Sequence, residues 1–298
     1  MRRSVLMLTT MLLLAVVTSN CSFPKDENQL NAEILDSSFI FLPESLTKNT
    51  EDLSAIYAAM AKYYEGVEKA RPDLLDNVFH AQWLMRDTDS PNREHLNVED
   101  KPAFIKRVSN HGPYPGYAQY RSIVNVGRAY DNLAFVRVNK DPSRSATSFF
   151  LFKVDGEWKI TDKVWLNHRD EHVQAPLQQS AFTEVRKLIE NYYKGLARAD
   201  DVLISRLLHN DWELKYMKND GSLTIENKEA YVERLKTKPA EEYIDHSQLL
   251  SIELYHDGLA IVRVDQPAAS TISYLTVFKV NGVWLIVSER RSCNEPVN

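Results

Sequence analysis

The sequence has little glycine, little cysteine and no excess of basic residues. Its 9 glycines in 298 residues leave little material for glycine-rich phosphate-binding loops, and it contains no P-loop, GxGxxG, GxSxG or HExxH motif. Its 2 cysteines cannot form a zinc cluster or a disulfide framework. Lysine and arginine number 36 against 41 aspartates and glutamates, which gives a net charge of −5. We therefore expect no nucleic-acid partner, and we predict neither a cofactor nor a metal ion.

The remaining composition is that of a globular protein. Hydrophobic residues make up 44% and charged residues 26% of the chain, which excludes a disordered or collagen-like chain. Because domains most often contain about 100–150 residues, the chain is long enough for two of them.

The N-terminus has the pattern of an export signal. Arg2 and Arg3 precede a mostly apolar run from Val5 to Val17, and this run is shorter than the roughly 20 apolar residues that span a bilayer. Residues 1–20 are therefore predicted to be a signal peptide, followed by a polar tether over residues 21–50. We expect the protein to be exported to the bacterial cell envelope.

Two ways of processing this signal are open. Small residues at Val17 to Ser19 permit ordinary cleavage before Asn20, giving a periplasmic or secreted protein. Alternatively, Thr18 to Cys21 resembles the lipobox of bacterial lipoproteins, although Asn20 stands where such boxes usually carry Gly, Ala or Ser. In that case Cys21 carries a lipid anchor, which is the membrane contact that we expect. Without lipidation, Cys21 is available to pair with Cys293 under oxidising conditions.

The rest of the chain repeats itself. Residues 63–86 align without gaps on residues 192–215 at an offset of 129. Identical pairs in this alignment are Tyr63/Tyr192, Tyr64/Tyr193, Gly66/Gly195, Ala70/Ala199, Leu74/Leu203, His80/His209 and Trp83/Trp212. Three later blocks also match, with the offset falling only to 126. The sequence therefore predicts two homologous domains, 51–169 and 180–293, joined by a linker over 170–179.

The periodicity changes in the same order within each repeat. Apolar residues recur at helical spacing first, and a second short helix and a third helix follow. The later part of each repeat alternates as strands do, and Asp155-Gly156 and Asn281-Gly282 are typical of two-residue hairpin turns. We expect an α+β fold in which helices cover one face of a curved antiparallel sheet and leave a cone with one open end.

These residues resemble the NTF2-like superfamily. The resemblance rests on the Tyr-Tyr-x-Gly helix, the short leucine-rich helix that ends in His-x-x-Trp, and the closing blocks 132–165 and 258–286. These closing blocks resemble the bacterial branch named lumazine-binding or SnoaL-like. The resemblance implies two cone-shaped domains, each able to hold a ligand. Because homodimers are common in this superfamily, it also implies pairing of the two domains as an intramolecular pseudo-dimer.

The superfamily includes enzymes, and ketosteroid isomerase is the best comparison. It uses an aspartate base with a tyrosine and a protonated aspartate that stabilise the oxyanion. By this resemblance Tyr63 and Tyr192 stand at the oxyanion tyrosine and Asp87 stands at the base, whereas Tyr216 replaces the base in the second repeat. The protonated aspartate falls near Phe150, which cannot donate. The set is therefore incomplete, and an isomerase- or cyclase-like enzyme that uses Asp87 and Tyr63 is the alternative function.

The leading prediction is binding of a small molecule or a protein partner without catalysis. The candidate ligand contacts are the aromatic residues that the two repeats share: Tyr63, Tyr64, Trp83, Tyr192, Tyr193 and Trp212. The competing interpretation is that these rings only pack against the sheet.

Three further features have structural interpretations. His80 and His209 are expected to stabilise the end of the second helix. Arg137 and Arg263 either clamp an anion or lie on an outer sheet face. The segment 168–172, His-Arg-Asp-Glu-His, has helical metal-ligand spacing without a third ligand, so a charged hinge is the preferred interpretation.

Overall fold

A computed structural model gives the structure of the chain, with the residues that it describes being 50–88, 93–118, 122–129, 131–141, 145–167, 175–218, 220–237, 249–255, 258–266 and 270–293. The predicted signal peptide, Cys21, almost all of the predicted tether and the 168–172 segment lie outside these residues. Within them, no helix has the length and apolar character needed to span a membrane.

The two repeats contain the same elements in the same order. Repeat 1 consists of α1 (Thr50–Glu68), α2 (Pro72–Val78), β1 (Phe79–Thr88), β2 (Leu96–Asp100), α3 (Lys101–His111), β3 (Ser122–Ala129), β4 (Leu133–Asp141), β5 (Ser145–Val154) and β6 (Glu157–Asn167). Repeat 2 consists of α4 (Ala175–Ala197), α5 (Asp201–Leu207), β7 (Leu208–Met217), β8 (Leu223–Asn227), α6 (Lys228–Thr237), β9 (Leu249–Tyr255), β10 (Leu259–Gln266), β11 (Thr271–Val280) and β12 (Val283–Cys293). Helix α4 begins at Ala175, inside the stretch predicted to be the linker, 170–179.

Each repeat forms one six-stranded sheet, which confirms the α+β prediction. The strand order is β2-β1-β6-β5-β4-β3 in repeat 1, and repeat 2 has the equivalent order β8-β7-β12-β11-β10-β9. The expected antiparallel arrangement holds for four consecutive strands, β3 to β6. The sheet as a whole is mixed, because β1 pairs with β6 in parallel. Strand residues reveal hydrophobic alternation but not strand direction, so the sequence could not predict this pair.

The predicted hairpin turns are present. Asp155 and Gly156 join β5 to β6 with φ values of 51° and 81°, and Asn281 and Gly282 join β11 to β12 with 49° and 75°. Both central residues of a type I′ turn need positive φ, which Asn, Asp and Gly tolerate best. The turn residues therefore fix the register of the longest hairpin in each repeat.

The shared glycine of each first helix has a packing role. A Cβ added to Gly66 would lie 2.7 Å from the Leu75 side chain, and one added to Gly195 would lie 2.8 Å from that of Ile204. These distances are shorter than any normal carbon contact, so only glycine lets the short second helix approach the first this closely.

The two faces of each sheet pack against different parts of the molecule. The inner face, defined as the side that packs against the helices of its own repeat, contributes Phe149 and Leu151 to the core of repeat 1. The outer face is the opposite side, and it contributes Phe150 and Phe152 to a third buried cluster. This third cluster draws on both repeats: Leu133, Phe135, Ala146, Phe150, Phe152, Val164 and Leu166 of repeat 1, with Met217, Leu259, Ile261, Ile272, Tyr274, Phe278, Val280 and Val287 of repeat 2.

Five charged side chains form a buried group between the two outer faces, which we call the charge cluster: Arg86, Asp162, Glu213, Lys215 and Arg290. Asp162 accepts hydrogen bonds from Arg86 at 3.2 Å, from Lys215 at 3.1 Å and from Nε of Arg290 at 2.7 Å. Glu213 forms ion pairs with the same three cations at 2.7–3.0 Å. Burial raises the pKa of the Asp162 carboxyl, but the neighbouring cations outweigh burial and hold that pKa below its ordinary value.

Candidate functional site

The inner face of repeat 1 carries an aromatic group centred on Tyr63. Its side chain is fully buried, and its ring centroid lies 5.0 Å from that of Phe149 and 6.4 Å from that of Phe104. Its hydroxyl lies 2.8 Å from the hydroxyl of Tyr117. Tyr117 belongs to residues 112–118, which are held against α1 because the backbone N–H of Gly116 donates to the Glu68 carboxylate at 3.1 Å.

A lysine ammonium lies among these rings. Lys163, on β6, is only 9% exposed, and its Nζ lies 5.9 Å from the centroid of the Tyr63 ring and 5.7 Å from that of Phe104. In the part of the chain that the structure describes, no carboxylate pairs with this ammonium. Cation–π contacts contribute about 0.5–2 kcal/mol, whereas burying a charge costs several kcal/mol. Among the described residues the two rings are the only groups in contact with the ammonium, and an anion would be a stronger partner.

The equivalent position of repeat 2 carries the opposite charge. Glu289, on β12, is fully buried and accepts hydrogen bonds at 2.8 Å from Tyr192 and at 2.8 Å from Ser273. Arg291 donates to the same carboxylate at 3.0 and 2.6 Å. The Tyr192 hydroxyl also lies 3.0 Å from that of Tyr231. The inner face of repeat 2 therefore holds a complete polar network, in which every carboxylate oxygen has a donor.

The network changes the pKa values of its members. Burial first, and then the Glu289 charge, raises the pKa of the Tyr192 hydroxyl well above its ordinary value, so this tyrosine stays protonated and donates. Burial would also raise the pKa of Glu289, but the Arg291 charge and the surrounding hydrogen bonds hold it below its ordinary value. The carboxylate is therefore ionised at neutral pH.

Both repeats share one ion pair beside the inner face. Arg107 donates to Glu99 at 2.8 and 2.7 Å, and Arg234 donates to Glu226 at the same distances. The Arg107 guanidinium lies 4.9 Å from the centroid of the Phe104 ring, and the Arg234 guanidinium lies 4.9 Å from that of the equivalent ring, Tyr231. Because this pair is the same in both repeats, it does not distinguish them.

The structure brings Asp87 to the same face as Tyr63 but gives it a local partner. Asp87 shares the inner side of β1 with Trp83 and Met85, both of which belong to the core that contains Tyr63. Its carboxylate accepts a hydrogen bond from Asn97 at 2.9 Å. The position compared with the protonated aspartate of the isomerase, Phe150, lies on the outer face. The candidate base Asp87 and the candidate tyrosine Tyr63 therefore lie on one face. The residue compared with the protonated aspartate, Phe150, lies on the other.

The other predicted ligand contacts lie within the cores of their repeats. Trp83 and Trp212 are 0% and 1% exposed, and Tyr64 and Tyr193 are 8% and 6% exposed. The Trp83 ring stacks on that of Phe79 at 4.3 Å. Contact of these rings with a ligand stays a prediction.

Two other expectations change in detail. His80 and His209 are on the first strands, one residue past their start, rather than at a helix end. Their Nδ1 atoms accept backbone N–H groups at 3.2 and 3.1 Å, so they order the strand instead of a helix terminus. Arg137 lies between the outer faces, where it pairs with Glu253 of repeat 2.

The residues that distinguish the two inner faces were not recognised in the sequence. At the offset of 126, Lys163 aligns with Glu289 and Thr147 aligns with Ser273. The matching blocks on the N-terminal side of these positions already have this offset. The change from lysine at 163 to glutamate at 289 is therefore a signal in the sequence that the two inner faces differ. Among the described residues, no group of His, Cys, Asp and Glu is arranged to hold a metal ion.

Solved structures similar to this chain include NTF2-like proteins of unknown function. The one from Shewanella baltica OS155 is 23% identical, covers 41% of this chain and 98% of its own, and has a TM-score of 0.35. The one from Silicibacter pomeroyi DSS-3 is 18% identical, covers 40% of this chain and 97% of its own, and has a TM-score of 0.34. The one from Methylobacillus flagellatus KT is 20% identical, with coverages of 42% and 98% and a TM-score of 0.32. No curated protein matches the chain.

A family model identifies both repeats. The model described as "Putative lumazine-binding" matches residues 51–166 and again residues 180–290. The predicted resemblance to two lumazine-binding domains in tandem is confirmed by this double match. The chain belongs to this lumazine-binding family, with one copy of the family's domain in each repeat.

Proposed function

We propose that the chain is a small-molecule-binding protein whose binding site is the inner face of repeat 1. The observation that carries the proposal is the Lys163 ammonium, which lies among aromatic rings without a carboxylate partner in the described part of the chain. Ligand sites are typically apolar surfaces with a few polar groups that fix orientation. The Tyr63 hydroxyl, 2.8 Å from that of Tyr117, supplies a second polar group on this face.

In this proposal repeat 2 supports the fold and does not bind a ligand. Its equivalent position is occupied by Glu289, which already has hydrogen bonds from Tyr192, Ser273 and Arg291. A ligand would have to break these bonds, and each buried group left without a partner costs about 1–3 kcal/mol. The difference between the two inner faces therefore favours one binding site in the chain.

Binding without turnover is the form of function that we propose. Proton abstraction needs a base near the reacting atom and donors for the developing negative charge. The Asp87 carboxylate accepts a hydrogen bond from Asn97 at 2.9 Å. Phe150 faces the other repeat, so Tyr63 is the one residue compared with the isomerase's oxyanion donors that can donate a hydrogen bond on this face.

A matched pair of tyrosine variants tests the location of the site. Fragments that bind the intact chain in ligand-observed NMR are retested on Tyr63→Phe and Tyr192→Phe. We expect Tyr63→Phe to weaken binding about 2- to 10-fold, the value of one hydrogen bond, and Tyr192→Phe to leave it unchanged. Hits that respond only to Tyr192→Phe, or no hits at all, would contradict the proposal.

We also propose that the repeats act as an intramolecular pseudo-dimer. The proposal is supported by the apolar cluster and the charge cluster between the outer faces. A protease site introduced between residues 168 and 174 allows the linker to be cut in the folded protein. The two halves are expected to stay together in size-exclusion chromatography at low micromolar concentration, and their separation would contradict pairing.

Export and lipidation at Cys21 are proposed from the sequence alone. The N-terminal Arg2-Arg3 pair, the apolar run and the lone cysteine after it support them. Intact mass spectrometry of the protein isolated from membranes is the test. A diacylglycerol-sized increase on a chain that begins at Cys21 is expected, and an unmodified N-terminus would exclude the anchor.

A further inference from the structure

We propose that the inner face of repeat 1 takes an aromatic carboxylate, with the carboxylate beside the Lys163 ammonium. The inference rests on the proposed function and adds the chemical class of the ligand. It follows from a comparison of one structural position in the two repeats, where repeat 2 carries a carboxylate of its own and repeat 1 carries a cation.

Repeat 2 illustrates what this position of the fold accepts. There the tyrosine hydroxyl of the first long helix donates to a carboxylate, from Tyr192 to Glu289 at 2.8 Å. A cation, Arg291, completes the site from the same strand. The fold therefore places a tyrosine donor and a cation around one carboxylate at the inner face.

Repeat 1 keeps the tyrosine and a cation but has no carboxylate at the position of Glu289. Tyr63 aligns with Tyr192, and Lys163 replaces Glu289 itself. Arg291 is replaced by Trp165, and the cation beside the tyrosine ring is Lys163, 5.9 Å from its centroid. A carboxylate supplied by a ligand would restore the three-part arrangement with its donors already in place.

The surroundings of Lys163 select the rest of the ligand. The ring centroids of Tyr63 and Phe104 lie 5.9 and 5.7 Å from its ammonium, and the Phe149 ring lies 5.0 Å from that of Tyr63. Aromatic faces and edges pack well against a planar ring. A planar group that carries one carboxylate matches both parts of this surface, whereas a bare inorganic anion would use only the ammonium.

The test uses pairs of acids and amides of the same shape on the intact chain. The probes are benzoate with benzamide, 2-naphthoate with 2-naphthamide, and indole-3-acetate with indole-3-acetamide, titrated by NMR or calorimetry at pH 7. The variant is Lys163→Met, and the control is Lys187→Met, which removes the same charge from an exposed position of α4. Folding of each variant is checked by circular dichroism.

We expect at least one acid to bind about 10-fold or more tightly than its amide. Lys163→Met should abolish this preference, and Lys187→Met should preserve it. If acids and amides bind equally, or if Lys163→Met keeps the preference, the carboxylate assignment is overturned while small-molecule binding stands. If no probe binds at millimolar concentration, both the proposed function and this inference are overturned.

Discussion

The inner faces of the two repeats have the same fold but carry side chains of opposite charge at one equivalent position. Repeat 2 buries the Glu289 carboxylate with hydrogen bonds from a tyrosine, a serine and an arginine. Repeat 1 buries the Lys163 ammonium against two aromatic rings. The helices, strands and turns around them are equivalent. The difference therefore lies in a few side chains: the carboxylate of repeat 2 has donors, whereas the ammonium of repeat 1 has no ion-pair partner among the described residues.

The outer faces are also unequal. Asp162 of repeat 1 aligns with Ser288 of repeat 2, and Val164 aligns with Arg290. The Asp162 carboxylate therefore gains two cations from repeat 2, Lys215 at 3.1 Å and Arg290 at 2.7 Å, in addition to Arg86 of its own repeat. Because a second copy of repeat 1 would bring Val164 instead of Arg290, this arrangement favours the pairing of unlike repeats over the pairing of like ones.

The largest effect is expected from Asp162→Asn. The substitution leaves Arg86, Lys215 and Arg290 buried with Glu213 as their remaining carboxylate. Breaking a buried ion pair typically costs about 3–5 kcal/mol, so we expect a loss of this size in the free energy of unfolding, measured by urea denaturation. Asp155→Asn is the control, because Asn281 occupies the same exposed turn position in repeat 2. Equal stability of the two variants would show that the charge cluster has no net effect.

A smaller effect is expected from Glu289→Gln, compared with Lys163→Met. Glutamine keeps the shape of Glu289 but removes the ionised partner that Arg291 has among the described residues, so we expect a loss of about 2–3 kcal/mol in the free energy of unfolding. Lys163→Met removes an ammonium that has no ion pair in the described part of the chain, and it should change stability by less than about 1 kcal/mol or increase it. Urea denaturation of both variants gives the values. A larger loss for Lys163→Met would contradict the contrast between the two inner faces.

Glu289 should also contribute to the pH dependence of stability. Its pKa in the folded protein is lowered, because the Arg291 charge and the hydrogen bonds outweigh burial. A lowered folded pKa gives stability that is present above the unfolded pKa of about 4.3 and is lost as the pH falls through the folded value. We therefore expect the stability gap between wild type and Glu289→Gln to shrink between about pH 5 and pH 3 in urea denaturation. A constant gap over this range would show that Glu289 has no shifted pKa.

The sequence predicted the parts of the fold that depend on local chemistry. The hairpins follow from Asp155-Gly156 and Asn281-Gly282, whose positive φ values only a few residues tolerate. These turns were predictable because each depends on residues that are close along the chain. The shared glycines of the first helices were recognised only as identical positions, and the structure gives the reason, the contact of Gly66 with Leu75.

The candidate site was not predictable in the same way. A charged residue in a strand is normally assigned to the solvent face, and alternation from Ile160 would place Lys163 on the outer face. The register of β6 shifts between Ile160 and Asp162, so Ile160 and Lys163 both lie on the inner face although they are three residues apart. The bulge depends on pairing with β5, and no local pattern in the sequence indicates it. The same shift brings Glu289 to the inner face of repeat 2.

The smallest effect concerns a tryptophan that the repeats share but use differently. Nε1 of Trp158 donates to Asp52 at 3.0 Å, whereas Nε1 of Trp284 is buried without a hydrogen-bond partner among the described residues, because Ala181 stands where repeat 1 has Asp52. Both Trp→Phe substitutions remove similar volume, so we expect Trp158→Phe to cost about 1–2 kcal/mol more than Trp284→Phe in urea denaturation followed by circular dichroism.

A double-mutant cycle isolates this hydrogen bond from the loss of volume. In an Asp52→Ala background repeat 1 acquires the alanine of repeat 2, and the extra cost of Trp158→Phe should disappear. If the extra cost persists without Asp52, it comes from packing around the ring, and the two repeats differ in the shape of their cores as well as in their charges. If it disappears, a single carboxylate accounts for the difference, as single charged groups do at the inner faces.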